Sequence, residues 1–286
     1  MEGGQVRAVL QTINSSGSGF GVSYWSRWMG CPAKAHYAET SNIKGKPKKA
    51  LVLGSVAHGL LELYYKLAMK SVNRALALNT TAVSFVDDAG DPADVKEDAR
   101  LEGERIFRAY RLTYPPDEFG TILAVERLYK DVGKAVICKP FSFKPDMELN
   151  LSKAEAKSLF KSRRIKVDKG YWLVDHKTDG GFPWSDQAFM DAVQFAAYCM
   201  EWQEFFPDRE LNGLLVNVLP KTKNPEFRTL VYPYPSKKKQ EIAKNFLAQA
   251  QERRAGAYAS GVAKANIAHC YTYGPCDYLP ICDRAA

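Results

Sequence analysis

The run of strand-like segments between residues 121 and 178 constrains the fold more than any other feature. Apolar and β-branched residues predominate in each segment, and turn-forming residues separate one segment from the next. The Asp-Lys-Gly step before the last segment predicts a hairpin-like connection. The segments are 121–130, 134–140, 141–149, 164–169 and 171–178.

Helical patterns precede and follow these strands, and two more strands are expected between the last two helices. Leu101, Ile106 and Phe107 should face inward from the second helix. Ser185 or Asp186 is the expected cap of the third helix. This order indicates an α/β or α+β domain with a central mixed sheet and helices packed against it. We predict helices at 50–70, 95–113, 185–206 and 236–259, and a loop at 71–94.

Composition and charge narrow the class of protein. The chain has 286 residues and a formal net charge of +8, which suits a polyanionic partner such as nucleic acid. Its basic residues cluster at 42–49, 161–169 and 236–240, although solvated loops and a helix start are the alternative interpretation. No apolar run reaches the roughly 18 residues of a membrane span, and the first residues lack a signal-peptide pattern. We therefore expect a cytoplasmic protein with no membrane partner.

Two charged residues lie near the end of the last strand in the run. In YWLVDHKT, Asp175 and Lys177 are two residues apart, so both lie on the same face of a strand. The apolar residues before them indicate that burial begins just ahead of the pair, and removing such charges from water is costly. The pair is therefore either a structural ion pair or part of a functional site.

Two helical motifs flank the strands in the sequence. Gly54, His58 and Glu62 are four residues apart and share one face of the first long helix. Because Gly54 has no side chain, this helix can approach a sheet closely. Gln194 and Tyr198 are likewise neighbours on one side of a later helix. For both motifs, an ordinary structural helix face is the alternative.

Six cysteines are unevenly placed, and disulfides are not expected in a reducing compartment. Cys138 and Cys199 have apolar neighbours and are predicted to be core residues. Cys31 stands alone near the start, whereas Cys270, Cys276 and Cys282 crowd the last seventeen residues.

Taken together, the motifs resemble the PD-(D/E)XK nuclease superfamily, in particular its Cas4-like and RecB-like exonucleases, among them the AddB and Dna2 types. Pro145-Asp146 followed by Asp175-His176-Lys177 is similar to the two motifs that name the superfamily. The helical motifs are similar to its G-x-x-x-H and Q-x-x-x-Y motifs. Cys31, in GCPAKAHY, and the tail cysteines resemble its four-cysteine iron–sulfur clasp, which implies that these four hold a [4Fe–4S] cluster. Four thiolates suit tetrahedral zinc equally well, and free thiols in the tail are the further alternative. The tail departs from the usual form because Cys270 and Cys276 are separated by five residues instead of two, which keeps zinc as an alternative.

The resemblance implies a restriction-endonuclease-like core with an N-terminal helical part and a C-terminal cysteine clasp that joins Cys31 to residues 270–282. It implies a single nuclease domain at 23–286 after a flexible segment at 1–22. The long interval between the histidine motif and the first aspartate implies a helical insertion at about 71–120.

The resemblance also implies a Mg²⁺- or Mn²⁺-dependent deoxyribonuclease, an exonuclease acting on phosphodiester bonds. Its metal ligands would be His58, Asp146, Asp175 and the main-chain carbonyl of His176, and the two aspartates and Lys177 would be catalytic. Gln194 and Tyr198 would position the DNA. Glu62 and Glu126 are candidate accessory acids.

The implied setting is DNA repair, recombination, or phage or CRISPR-type DNA processing in a bacterial, archaeal or phage-infected cell. Partners would be DNA and a helicase, recombination or CRISPR-adaptation protein. The alternative is a non-catalytic or partner-dependent nucleic-acid-binding module with a structural zinc site.

Overall fold

The computed structural model describes residues 11–14, 20–41, 43, 49–80, 83–86, 96–132, 134–135, 140–179, 191–261, 263–266, 268 and 276–282. The helices within them are α1 (Val22–Gly30), α2 (Pro32–Thr40), α3 (Lys49–Lys70), α4 (Val72–Leu76), α5 (Glu97–Thr113), α6 (Lys153–Arg163), α7 (Val193–Phe205) and α8 (Lys237–Ser260). The strands are β1 (Gln11–Asn14), β2 (Val83–Val86), β3 (Ile122–Val125), β4 (Tyr129–Val132), β5 (Phe141–Phe143), β6 (Met147–Leu151), β7 (Gly170–Asp179), β8 (Leu211–Pro220) and β9 (Arg228–Pro233).

A five-stranded mixed sheet forms the centre of the fold, in the order β3-β6-β7-β8-β9. Neighbouring strands are antiparallel except β7 and β8, which are parallel. A parallel pair needs a crossover connection, and α7 lies in that connection. Two-stranded pairs, β1-β2 and β4-β5, accompany the sheet. The predicted mixed sheet with flanking helices is confirmed.

Helices cover both faces of this sheet. Alternate residues of β7 serve two cores, because successive strand side chains point to opposite faces. Leu173 belongs to the core that includes residues of α1, α7 and α8. Val174 belongs to the core that includes residues of α3, α5 and α6. The central strand is therefore buried on both sides, and charged residues near its end need partners.

The connection between β6 and β7 differs from the prediction. Residues 164–169 form no strand, and α6 precedes them. Ser152 begins this helix with a capping box, since its side chain accepts from the Glu155 amide while the Glu155 carboxylate accepts from the Ser152 amide. The sequence Ser-Lys-Ala-Glu carries that signal, so the helix could have been found.

Smaller differences concern the first half of the chain. Ile106 and Phe107 are fully buried as predicted, but Leu101 is 53% exposed, because it lies on the solvent side of α5. The predicted loop at 71–94 contains α4 and β2. The segment expected to be flexible contains β1, which pairs with β2. The expected caps of the third helix, Ser185 and Asp186, lie outside the described residues, as does Cys138.

None of the helices in the described ranges combines the length and the apolar character needed to cross a bilayer.

Candidate active site

Asp146 and Asp175 meet at one end of the central sheet. The last residue pair between the antiparallel strands β6 and β7 is Met147 with Val174, and one further step brings the two aspartates alongside each other. Both are buried, and the main-chain N–H of His176 donates to Asp146 Oδ2. The chain thus fixes two acids from neighbouring strands at one place.

Helix α3 brings His58 to these acids. His58 Nδ1 lies 3.5 Å from Asp146 Oδ2. One turn earlier, a Cβ at Gly54 would lie 3.0 Å from Thr178 Oγ1, so the absence of a side chain allows α3 to lie close to β7. Burial alone would raise the pKa of Asp146, but the neighbouring His58 outweighs burial and holds that pKa well below its usual value.

Lys177 lies beside Asp175, as the strand period predicts. Its Nζ is 2.7 Å from Asp175 Oδ2, and the ion pair left open by the sequence is therefore present. Burial raises the pKa of Asp175, Lys177 opposes that shift, and Asp146 adds to it. Apart from the Lys177 ammonium, the buried Oδ2 atom has no partner among the described residues.

Glu126 is the third buried acid of the site, and the sequence signalled it only weakly. It follows β3 with φ of 53°, a conformation that non-glycine residues rarely adopt. Its main-chain N–H donates to the Asp146 carbonyl at 2.9 Å, and its carboxylate lies 2.5 Å from Lys144 Nζ. Burial and the nearby Asp146 raise the pKa of Glu126 to about 9. The turn therefore places a further carboxyl group against Asp146.

Glu62 lies at the edge of this group. It is half-buried on α3 and forms an ion pair with Lys66, one turn further along the helix. Burial lowers the pKa of Lys144, but the charge of Glu126 and, to a smaller extent, that of Glu62 raise it above its usual value. Glu62 thus contributes to the electrostatics of the site from its border.

Gln194 and Tyr198 close the site from α7. Gln194 Nε2 donates to Asp175 Oδ1 at 3.4 Å and to the Tyr198 hydroxyl at 3.0 Å. Burial and the nearby Asp175 raise the pKa of Tyr198, so this hydroxyl stays neutral at physiological pH. The structure therefore brings the helical motif into direct contact with the strand motif.

The His176 ring points away from these acids, to the opposite face of β7. Asn217 Nδ2 lies 3.2 Å from its Nδ1, and the Tyr65 ring stacks on it at 6.1 Å and 8°. Burial lowers the pKa of His176 to about 3, which keeps the imidazole neutral. The His176 side chain packs on the face of β7 opposite Asp175, while the main-chain amide of His176 donates a hydrogen bond to Asp146.

A buried arginine extends this anchor, and sequence reasoning missed it. Arg163, at the end of α6, is fully buried and donates to Glu118, Asn217 and Thr229 at 2.7–2.8 Å. Its guanidinium also lies 3.7 Å from the centre of the Tyr114 ring. The alternative interpretation of the cluster at 161–169 as solvated therefore does not hold for Arg163.

The donor set suits a hard divalent cation, which prefers carboxylate oxygens and accepts imidazole. Asp175 Oδ2 is buried and, apart from the Lys177 ammonium, lacks a hydrogen-bond donor among the described residues. The raised pKa of Glu126 shows that further negative charge is disfavoured beside Asp146. Both observations indicate that a positive charge would be accommodated here. In this structure, hydrogen-bond donors of the protein contact the carboxylates. Among the described residues, no three His, Cys, Asp or Glu side chains lie close enough together to coordinate a metal ion. The residues fit such a metal by type, and the Lys177 ammonium contacts Asp175 Oδ2 in this structure.

The segment after α8 contacts the first two helices, although no metal group among the described residues includes Cys31, Cys276 or Cys282. The Asn266 amide donates to Cys31 Sγ at 3.3 Å, and the Tyr278 ring stacks on Tyr37 at 6.0 Å. Cys270 lies outside the described residues. Cys31 is buried, whereas Cys276 and Cys282 are partly exposed.

Comparisons with known proteins agree with this fold. The chain is similar to the crystal structure of a "putative exonuclease" from Eubacterium rectale, with a TM-score of 0.52, 14% identity, and coverage of 88% of this chain and 85% of that one. At that identity the likeness concerns the fold alone. No curated protein matches the sequence significantly. The family model of the PD-(D/E)XK nuclease superfamily matches residues 21–283, which include every described site residue. The chain therefore belongs to the PD-(D/E)XK nuclease superfamily.

Proposed function

We propose that this nuclease is a metal-dependent DNA exonuclease of the Cas4-like and RecB-like type. The observation that carries the proposal is the convergence of Asp146, Asp175 and Glu126 with His58 and Lys177 at one end of the sheet. Three buried acids in one place are costly unless positive charge offsets them. A site for phosphodiester hydrolysis supplies the reason for keeping them.

His58, Asp146 and Asp175 would hold Mg²⁺ or Mn²⁺, with the His176 carbonyl as a further ligand. A bound divalent cation polarises a phosphoryl oxygen and lowers the pKa of a coordinated water. Lys177 would leave Asp175 and offset the charge that develops on the phosphate. Gln194 would keep Asp175 oriented through the contact at Oδ1.

End-labelled linear DNA and closed circular DNA, incubated with Mg²⁺, Mn²⁺ or EDTA, test this proposal. We expect metal-dependent shortening of the linear strand from an end and no cleavage of the circle. Asp175→Asn and Lys177→Met should each lower the rate at least about a hundredfold, whereas Asp208→Asn, an exposed acid on a loop, should not. Full activity in EDTA or in Asp175→Asn would refute the mechanism. DNA binding without turnover under any divalent cation would favour the non-catalytic alternative.

We also propose that Cys31 and the tail cysteines hold a [4Fe–4S] cluster, with zinc as the alternative metal. The support is the contact between the two chain ends and the amide that donates to Cys31 Sγ. Absorption near 400 nm by anaerobically purified protein, lost in Cys31→Ala but kept in Cys199→Ala, is the expected result. Cys199 is the matched control because it is fully buried in the core, as predicted. Colourless protein with stoichiometric zinc would identify the other metal, and protein without either would refute the clasp.

A further inference from the structure

A groove of about 1000 Å³ lies between α6 and the segment at 164–169, and the proposed chemistry does not use it. Phe160 is the large apolar side chain of this groove and is 58% exposed. Ala156 and Val167 lie beside it. An aromatic ring held open to solvent within a groove offers a flat surface on which another ring could stack.

The rim of the groove is strongly basic. Four lysines line it against a single acid, Asp168. None of the four forms an ion pair with a carboxylate in the part of the chain that the structure describes. Their charge is therefore available to an anionic ligand. The lysines are Lys153, Lys157, Lys166 and Lys169.

One wall of the groove is fixed by hydrogen bonds from the sheet. Trp172 Nε1 donates to the Asp168 carbonyl at 2.9 Å, and Asn212 Nδ2 donates to the Lys169 carbonyl at 2.9 Å. The neighbouring Ile165 is buried in the core. A wall held in this way needs little ordering when a ligand binds, which favours affinity.

The groove is too far from the acids to contact the same phosphate. Lys169 immediately precedes β7, and Asp175 lies six residues further along the chain. At a rise of about 3.3 Å per residue, this separation is roughly 20 Å. A nucleic-acid strand in contact with both places would have to be several nucleotides long.

We propose that this groove binds single-stranded DNA, with the lysine rim contacting phosphates and Phe160 stacking on a base. A basic groove with an exposed aromatic ring is the combination by which single strands are bound without sequence preference. A duplex would keep its bases stacked inside and leave the ring without a partner. The choice of ligand rests on the proposed nuclease function, but binding needs no catalysis.

The test is fluorescence anisotropy of labelled oligothymidylates in EDTA, which separates binding from cleavage. Lys157→Gln/Lys166→Gln should weaken binding of a twenty-nucleotide strand about tenfold. It should also lower the slope of log K against log salt by about 1.4, or about 0.7 for each lost phosphate contact. Phe160→Ala should weaken binding about fivefold to tenfold with an unchanged slope. Lys70→Gln/Lys96→Gln, at two exposed lysines outside the groove, is the matched control.

Strand length gives a second readout. A four-nucleotide strand should bind the groove variants more weakly than the wild type, since it can occupy the groove without reaching the acids roughly 20 Å away. Hydrolysis of a mononucleotide 4-nitrophenyl ester, which needs no contact with the groove, should be unchanged in the groove variants. Equal affinity and equal salt slopes for the groove and control variants on the long strand would refute the groove proposal. An inactive wild type would instead refute the nuclease mechanism and leave the binding result standing.

Discussion

Gly54 on α3 faces Thr178 on β7 so closely that a methyl group at Gly54 would lie 3.0 Å from the threonine hydroxyl oxygen. His58 is one helical turn further along the same helix face. The distance between helix and strand at Gly54 therefore sets the position of an imidazole relative to the acids of the sheet.

Gly54→Ala should lower the cleavage rate because the added methyl group displaces α3 or the Thr178 side chain. Gly256→Ala is the matched control, since a Cβ there meets no atom within 4 Å and α8 should gain about 0.5–1 kcal/mol of stability. Thr178→Ala should restore part of the activity of Gly54→Ala by removing the nearest atom. Steady-state cleavage and thermal melting of Gly54→Ala, Gly256→Ala and the double variant Gly54→Ala/Thr178→Ala check this. Wild-type activity in Gly54→Ala would show that the close approach is not needed.

Gln194→Ala should lower the cleavage rate about tenfold, because Asp175 Oδ1 loses the donor that orients it. The effect on stability should be small, since that contact is long at 3.4 Å. Tyr198→Phe should have a smaller effect, since Gln194 then keeps only its contact to the acid. Gln203 on the same helix is the contrasting position, because its side chain bonds the main chain at Phe206, Arg209 and Leu211.

Gln203→Ala should therefore destabilise the fold and leave the rate per folded molecule unchanged. Rates normalised to folded protein, with urea denaturation of each variant, separate the two effects. The interpretation fails if Gln194→Ala and Gln203→Ala change the same quantity.

Arg163→Met should cost about 3–5 kcal/mol of unfolding free energy, because it leaves the buried Glu118 carboxylate without its cation. Arg163→Met/Glu118→Gln should recover part of that loss. Arg164→Gly, at the exposed next position, should be neutral or stabilising, since φ is 56° there and glycine adopts it without strain. Urea denaturation measures all three, and a loss below about 1 kcal/mol for Arg163→Met would contradict the assigned role.

The Glu39 carboxylate should make the folding stability of the protein depend on pH. Tyr24 and Trp28 donate to one of its carboxylate oxygens, while Arg254 and Tyr258 donate to the other. Burial opposes ionisation, but these donors outweigh burial, and the pKa of Glu39 is lowered. A lowered carboxyl pKa stabilises the fold at pH values above the unfolded-state pKa, and the effect is lost as the pH falls through the folded-state pKa.

Glu39→Gln should thus be less stable than the wild type near neutral pH, by no more than about 1 kcal/mol because the residue is exposed to solvent. The difference should narrow below about pH 4, where glutamate becomes protonated. Glu97→Gln is the control, since Glu97 also has a lowered pKa through Arg100 but is fully exposed. Melting temperatures of the wild type and both variants, measured across the pH range, test this prediction. A difference between Glu39→Gln and the wild type that is the same at every pH would rule out the carboxylate charge as the cause.

Much of the site could be predicted from the sequence because its spacings are local. The strand period places Asp175 and Lys177 on one face, and the helix period places Gly54 beneath His58. The motif resemblance then connects strands and helices that are far apart in the chain. These inferences need only residue types and their separation.

The rest depends on contacts that no local pattern carries. Glu126 joins the site through a turn with positive φ, which nothing in AVERLYK signals. Arg163 lies in a basic cluster, yet Asn217 and Thr229 from distant strands make its burial favourable. The strand predicted at 164–169 was wrong for a different reason, because the capping box that begins α6 is a local signal that the prediction did not use.

The register between β6 and β7 determines both the packing of the sheet and the position of Asp146 beside Asp175. A slip by one residue would turn every side chain of one strand to the opposite side of the sheet. Asp146 would then face the apolar layer and Met147 would take its place beside Asp175. Molecules paired one step out of register would therefore bury a charge and lose the proposed reaction centre, and we expect them to be both less stable and inactive.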